Sequence, residues 1–236
     1  MIKGFIGTSL VDYPGKIASV VFFGGCNYRC PFCQNSWLVS EQKLIQLPTL
    51  EVSAVAEMTV LRSKFIDGVV LSGGEPTLYP SLIRQFISTI KSLSPGKLWK
   101  VKLDTNGSHP EILVELINQN LIDYVALDLK TSPTKYDQLT GCPNSFEKVS
   151  NSIRILSQAP IDSELRTTLV PGLTDKPELI EMIPFIREAK KYALQPFRPQ
   201  DTLDETYSSI TPYSGEVLHE LAEWVRQQTS IEVVER

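Results

Sequence analysis

The segment from Ile17 to Cys33 reads IASVVFFGGCNYRCPFC. It starts as an apolar, β-rich run, Ile17–Phe23, breaks at two glycines and passes into a loop that holds Cys26, Cys30 and Cys33. The spacing Cys-x3-Cys-x2-Cys lets a short loop wrap three thiols toward one point, as the clustered soft ligands of a metal centre require. The fourth cysteine, Cys142, lies more than a hundred residues further on, in LTGCPNS. Three local thiolates without a local fourth read as an iron-sulfur cluster with one iron left open to something other than protein. A structural zinc site would want four closed ligands, and the loop offers no histidine: His109 and His219 are the only two in the chain. A disulfide framework fits poorly with an odd local thiol count and no secretion signal.

The rest of the chain sets the class. With 236 residues, 42% hydrophobic and 21% charged, it can bury a full-sized core in one domain or at most two. A net charge of -4 and the lack of any basic run argue against a nucleic-acid or anionic-membrane surface. Ile17–Phe23, preceded by Lys16 and followed by GGC, imitates a signal segment. Its apolar run is short, however, and Asp12, Tyr13, Pro14 and Gly15 interrupt the basic lead-in that such a segment needs. No stretch approaches the ~18 apolar residues of a membrane span. A reducing cytoplasm, where thiols can hold metal, is therefore expected.

Downstream, short apolar runs alternate with longer helical patterns. The strands expected are Ile17–Phe23, Gly68–Leu71, Trp99–Asp104, Tyr124–Leu129, Leu165–Val170 and Ala193–Phe197. Helices are expected near Leu50–Lys64, Ser81–Leu93, Glu111–Asn120, Phe146–Gln158, Pro177–Lys191 and Tyr213–Gln228. Serial βα units imply a parallel sheet with right-handed crossovers. Six units are too few for a closed eight-fold barrel. The expectation is an α/β fold, an incomplete (β/α)6 TIM-like barrel with the cysteine loop after its first strand, and an open doubly wound sheet is the alternative. Ile231–Val234 reads as a seventh strand or a terminal flap. Residues 1–236 are taken as one domain, with Pro199–Pro212 a long loop inside it.

Several strands carry polar residues on one face, unlike strands covered on both sides. In WKVKLD, Lys100, Lys102 and Asp104 oppose Trp99, Val101 and Leu103; in YVALDLK, Asp128 and Lys130 lie opposite Val125, Leu127 and Leu129; in ELRTTLV, Arg166 opposes Leu165. Lys100 and Lys102 fit a cavity lining and an internal ion pair equally well. Asp104, Asp128 and Lys130 sit at the C-terminal ends of strands, where parallel-barrel active sites are built. After the second of these strands comes SGGEP, Ser72–Pro76, whose glycines let a ligand rest closely against the backbone and whose Glu75 adds a carboxylate. A glycine pair alone would equally serve a tight turn. With three cysteines at the end of the preceding strand, it points to a ligand.

These motifs, in this order, resemble the radical S-adenosylmethionine (SAM) superfamily. Its signature is Cys-x3-Cys-x-aromatic-Cys after the first strand and a GGE-type segment after the second. The resemblance implies a 4Fe-4S cluster on Cys26, Cys30 and Cys33, with SAM on the remaining iron, Phe32 beside the cluster and adenine, and Gly73, Gly74 and Glu75 at the methionine amino group. The segments VDYPGKIASVVFFGGCNYRCPFC, LDTNG, ALDLK and RTTLVPG are similar to glycyl-radical-activating enzymes of the pyruvate formate-lyase and anaerobic ribonucleotide reductase kind. On that likeness Asp104 and Asp128 would frame a monovalent-cation site, Lys130 and Arg166 would bind SAM, and Asp12 would touch the substrate peptide. Two positions depart from the family pattern. Gln34 stands where a histidine commonly follows the third cysteine, and Gln195 or Arg198 where a late histidine contacts SAM.

The activity so implied is reductive cleavage of SAM to a 5′-deoxyadenosyl radical that makes a glycyl radical on a partner protein, anaerobic ribonucleotide reductase foremost. The electron would come from a flavodoxin- or ferredoxin-type donor. Such chemistry asks for positioning and exclusion of water, so no general acid or base is assigned. Two other readings stay open: a radical SAM enzyme acting on a small molecule or another peptide, like the carboxy-deazaguanine synthases, and a non-enzymatic iron-sulfur carrier or zinc module. Cys142 reads as a thiol near a loop, outside the cluster, against roles in redox sensing or a second cluster.

Overall fold

Eight strands form one sheet in the order β1 to β8 in a computed structural model that describes residues 1–236. The strands are β1 (Ile2–Tyr13), β2 (Lys16–Phe23), β3 (Gly68–Gly73), β4 (Lys100–Thr105), β5 (Tyr124–Asp128), β6 (Asp162–Leu169), β7 (Lys191–Pro196) and β8 (Glu232–Glu235). The helices are α1 (Ser36–Val39), α2 (Glu41–Gln46), α3 (Val52–Val60), α4 (Pro80–Leu93), α5 (Pro110–Asn118), α6 (Pro133–Thr140), α7 (Ser145–Gln158), α8 (Lys176–Ile186) and α9 (Gly215–Gln228). Strands β2 to β7 are the six expected from sequence, and of the two readings of Ile231–Val234, strand or terminal flap, the structure has the strand, β8, paired parallel to β7. By contacts the chain falls into two compact units. The first comprises Met1–Cys26, Trp37–Thr105 and Glu111–Val125; the second comprises Asn27–Ser36, Asn106–Pro110 and Ala126–Arg236.

In the first unit β2, β3 and β4 run parallel, with Val20 opposite Val70 and Val70 opposite Lys102. Val20, Val21, Val69, Val70, Leu71, Val101 and Leu103 are all buried, so these short runs are core strands. Helix α4 starts at Pro80, whose missing N–H costs nothing at a first helical position, and buries Ile83, Phe86, Ile87 and Ile90 on one face. Strand β1 was not foreseen. It pairs antiparallel to β2 through a turn at Gly15, where φ is +68°, and its register shifts between Ile6 and Ser9 and again before Tyr13. An irregular edge strand with Ile6, Leu10 and Val11 exposed lacks the alternation that marks a strand in sequence.

In the second unit β6, β7 and β8 are parallel, with Arg166 opposite Ala193 and Ala193 opposite Val234. Helix α8 begins with a capping box of Asp175 and Glu178, but it stops at Ile186 rather than Lys191. Pro184 inside the helix withholds an N–H from its last turn, and the chain is free to enter β7 at Lys191. The C-terminal residue is tied down. The Arg236 amide donates to the Leu194 carbonyl, and its guanidinium forks onto both carboxylate oxygens of Glu164, whose side chain is fully buried on β6. Arg236→Ala removes that cation from a buried carboxylate, at a cost of about 3 kcal/mol. Thermal unfolding should then move down by roughly 6–12 °C; an unchanged midpoint would show that Glu164 does not depend on it.

Candidate functional site

Each unit carries part of the predicted set. In the first, β2 ends at Phe23 and the chain turns through Gly24 and Gly25, where φ is +92°, to reach Cys26. The SGGEP segment lies against this turn. Gly74 N–H donates to the Phe23 carbonyl and Glu75 N–H to the Gly25 carbonyl, both at 2.8 Å. A methyl group at Gly74 would stand 2.0 Å from the Gly25 oxygen, and one at Gly73 2.3 Å from the Phe23 oxygen. The two glycines are thus required by backbone packing against the turn that delivers Cys26. Glu75 is fully buried. Its carboxylate accepts from Thr77 N–H at 3.0 Å, the Thr77 hydroxyl at 2.6 Å and the Thr105 hydroxyl at 2.8 Å, and so links the ends of β3 and β4. Tyr79 braces the same turn by donating to the Gly24 carbonyl at 2.7 Å while its ring stacks on Phe23.

Asp104, near the end of β4, faces the ammonium of Lys102 at 2.5 Å, and Lys102 is only 1% exposed. Lys100 leaves the core and pairs with Asp123 at 2.7 Å. Of the two lysines open to either reading, both are in ion pairs, one internal and one at the surface. Asp12 lies at the hairpin end of β1, where Tyr13 pairs with Lys16, and accepts from the Ser9 hydroxyl. Cys26 follows the opposite end of β2, about 23 Å away along an extended strand. Asp12 and Cys26 thus lie beyond opposite ends of β2.

The second unit holds the remainder of the cysteine loop. This stretch is fastened at four places. Asn27 accepts from the Asn106 side-chain amide at 3.0 Å, Arg29 N–H donates to the Thr140 carbonyl at 2.8 Å, the Pro31 carbonyl accepts from Asp204 N–H at 2.9 Å, and the Gln34 side-chain amide donates to the Arg198 carbonyl at 2.9 Å. Within the loop, Cys33 N–H donates to the Cys30 carbonyl. Cys30 and Phe32 are buried, and none of the four cysteines is in a disulfide. Burial pushes the Cys33 thiol above its ordinary value, against a backbone hydrogen bond with Asn35 and the Lys130 charge, which both favour the thiolate.

Beside this loop stands a charged triad. Arg166 on β6 donates its Nε to Asp128 at 3.0 Å, and the Lys130 ammonium lies 3.3 Å from the other Asp128 oxygen. Burial alone would raise the Asp128 carboxyl, but Arg166 and Lys130 overcome it and hold the group below the usual carboxylate range. Burial alone would depress Lys130; Asp128, then Cys30, Tyr136 and Cys33, lift it well above the usual lysine value. A permanent positive charge thus stands within electrostatic reach of two of the thiols. Tyr136, missed in the sequence, is fully buried and donates to the Asp128 carbonyl at 3.1 Å. Of the two late positions, Gln195 donates to the Thr168 hydroxyl at 2.8 Å, while Arg198 offers its carbonyl to Gln34. Cys142 sits in the turn after α6, its N–H bonded to the Thr140 hydroxyl.

Comparison with known proteins identifies the architecture. The profile of the Radical SAM superfamily matches residues 20–183. A protein of Methanocaldococcus jannaschii named "Putative glycyl-radical enzyme activating enzyme MJ1227" is 34% identical over 225 residues, covering 94% of this chain and 90% of its own length. The pyruvate formate-lyase-activating enzyme of Streptococcus mutans serotype c is 30% identical over 208 residues, 83% of this chain and 75% of that enzyme. Among solved structures, that of TYW1 with a lysine-pyruvate adduct bound superposes on 92% of this chain and 75% of its own, with a TM-score of 0.60 and 16% identity, a likeness of fold. A mostly parallel α/β sheet, three cysteines after its first parallel strand, a glycine pair after the next and a profile match across most of the chain agree: this chain belongs to the radical SAM superfamily of enzymes, which use a 4Fe-4S cluster and SAM.

Proposed function

We propose that this protein, acting as one radical SAM domain over residues 1–236, is an activase that makes a glycyl radical on a partner enzyme, anaerobic ribonucleotide reductase before pyruvate formate-lyase. The observation that carries the reading is the likeness, over 94% of the chain, to a relative named for activating glycyl-radical enzymes. Cys26, Cys30 and Cys33 would hold the cluster. No group of three or more His, Cys, Asp or Glu side chains forms a ready metal cage, so this assignment rests on the cysteine spacing, the family and the fastened loop. The donor set fits: soft thiols, none in a disulfide, with the Lys130 ammonium near enough to favour thiolate.

Held by Cys26, Cys30 and Cys33, a reduced cluster would supply one electron to SAM, and with it the radical chemistry that removes one hydrogen from a glycine Cα. The chain's own residues bind, orient and exclude water. Gly73 and Gly74 keep the β3 end flush with the turn before Cys26, and Glu75 holds that edge rigid through Thr77 and Thr105. Lys130 and Arg166 would take the carboxylate end of SAM, with Asp128 holding both in place. Phe32 would lie beside the adenine. Asp104 and Asp128 already face cationic side chains, so a monovalent cation there would share carboxylates with Lys102 and with the Lys130–Arg166 pair. Asp12, at the hairpin end of β1, would touch the partner's peptide. A flavodoxin- or ferredoxin-type protein would deliver the electron. The thiols need a reducing compartment such as the cytoplasm, and no helix is long and apolar enough to cross a membrane.

Mixing the reduced, reconstituted protein and SAM with each candidate partner tests the choice. A doublet glycyl-radical signal in electron paramagnetic resonance should appear on anaerobic ribonucleotide reductase faster than on pyruvate formate-lyase. The reverse order would assign the other partner.

A further inference from the structure

The cysteine loop has no helix or strand of its own between Asn27 and Asn35, yet it must present its thiols at fixed spacing. A loop left unordered would charge the cost of ordering to metal binding. Its fastenings come from three separate parts of the second unit: the TNG turn after β4, the last residue of α6 and the irregular segment after β7. Two of them are side-chain amides, and these two act on the residues next to the first and the last cysteine. Asn27, held by Asn106, directly follows Cys26; Gln34, which holds Arg198, directly follows Cys33.

Both anchors are themselves built in. Asn106 is 4% exposed and its side-chain oxygen also accepts from Ser108 N–H at 2.9 Å, which fixes the direction in which its amide donates. The segment after β7 brackets the second half of the loop, since Arg198 receives Gln34 and Asp204 N–H reaches Pro31. Thr202 between them is buried, with its hydroxyl on the Asp204 carbonyl, so this segment is braced rather than slack. Gln34 stands where the family pattern commonly has histidine, and its partner Arg198 is one of the two residues, with Gln195, that could stand for the late histidine.

We infer that Asn106 and Gln34 are positioning residues that clamp the two ends of the cysteine loop and thereby set how tightly iron is retained. The inference rests on the assignment of Cys26, Cys30 and Cys33 to the cluster, and two readouts separate it from that assignment. In anaerobically reconstituted protein, Gln34→Ala and Asn106→Ala should each speed iron release to a chelator by about three- to tenfold, the range expected for one hydrogen bond. Gln34→Glu, which sets a carboxylate against the Arg198 carbonyl, should release iron faster than Gln34→Ala. In the metal-free protein the Cys33 amide should exchange its hydrogen faster by a similar factor in the same variants. Gln34 is exposed, so its variants should keep the wild-type unfolding midpoint even where Asn106→Ala does not. Wild-type exchange of the Cys33 amide and wild-type iron release in both Gln34 variants would overturn the clamp. A wild-type protein that takes up no cluster would overturn the cysteine assignment instead, and the exchange comparison would still decide the clamp.

Discussion

Cys26→Ala, Cys30→Ala and Cys33→Ala should each leave the reconstituted protein almost without iron and sulfide, and without the electron paramagnetic resonance signal that the reduced wild type gives and that SAM changes. Three thiolates are the fewest that can hold a four-iron cluster with one iron open, so no ligand is redundant. Cys142→Ala should keep the full signal. The end of α6 just before it meets the cysteine loop through the Thr140 carbonyl and Arg29, but the Cys142 sulfur lies toward the Pro143 carbonyl at 3.9 Å. A chain that binds zinc tightly and refuses iron would contradict the assignment, as would loss of the cluster in Cys142→Ala.

The second large effect is expected from the charged triad. Asp128→Asn keeps the shape of the side chain but removes the negative charge that Arg166 and Lys130 share, and the two cations are left to repel each other. Truncating one member of such a hydrogen-bonded charge group costs about 2–5 kcal/mol, so SAM affinity should fall thirtyfold or more while the iron content stays unchanged. Equilibrium dialysis with labelled SAM reads this directly; wild-type affinity would return the triad to a purely structural role. The same group sets an acid limit. Because the folded carboxyl of Asp128 lies below its unfolded value, its contribution to stability is complete above the ordinary carboxylate range near pH 4. It is lost as pH falls through the lowered, folded value. Denaturant unfolding of the metal-free protein should therefore show a smaller loss of stability below pH 4 in Asp128→Asn than in wild type.

The parts of this architecture that rest on local pattern were readable in the sequence. Strands β2 to β7 announce themselves as short apolar runs bounded by glycines or charges, and α4, α7 and α9 as amphipathic periods. Strand β1 was hidden because edge pairing and register shifts remove the period that burial would impose. The short helices α1, α2 and α6 lie below the length at which periodicity accumulates. In the candidate site the residue types were legible, but their partners were not. Glu75 reads as a strand-end carboxylate, while its dependence on Thr105 is a contact across 30 residues, and the link from Gln34 to Arg198 spans 164. Lys102 shows the same limit from the other side: its alternation in WKVKLD is compatible with cavity or core, and only the 2.5 Å contact with Asp104 in a buried setting decides for an internal pair.

The central claim is that hydrogen leaves a glycine of a protein partner. The most direct measurement gives the reduced protein SAM and a partner, or a peptide of its radical-bearing loop, with deuterium at the target glycine Cα, and follows the isotope by mass spectrometry. The account predicts one deuterium in 5′-deoxyadenosine and a backbone radical at that glycine. Vigorous SAM cleavage with label acquired from a small metabolite, and none from any glycyl-radical protein, would contradict it.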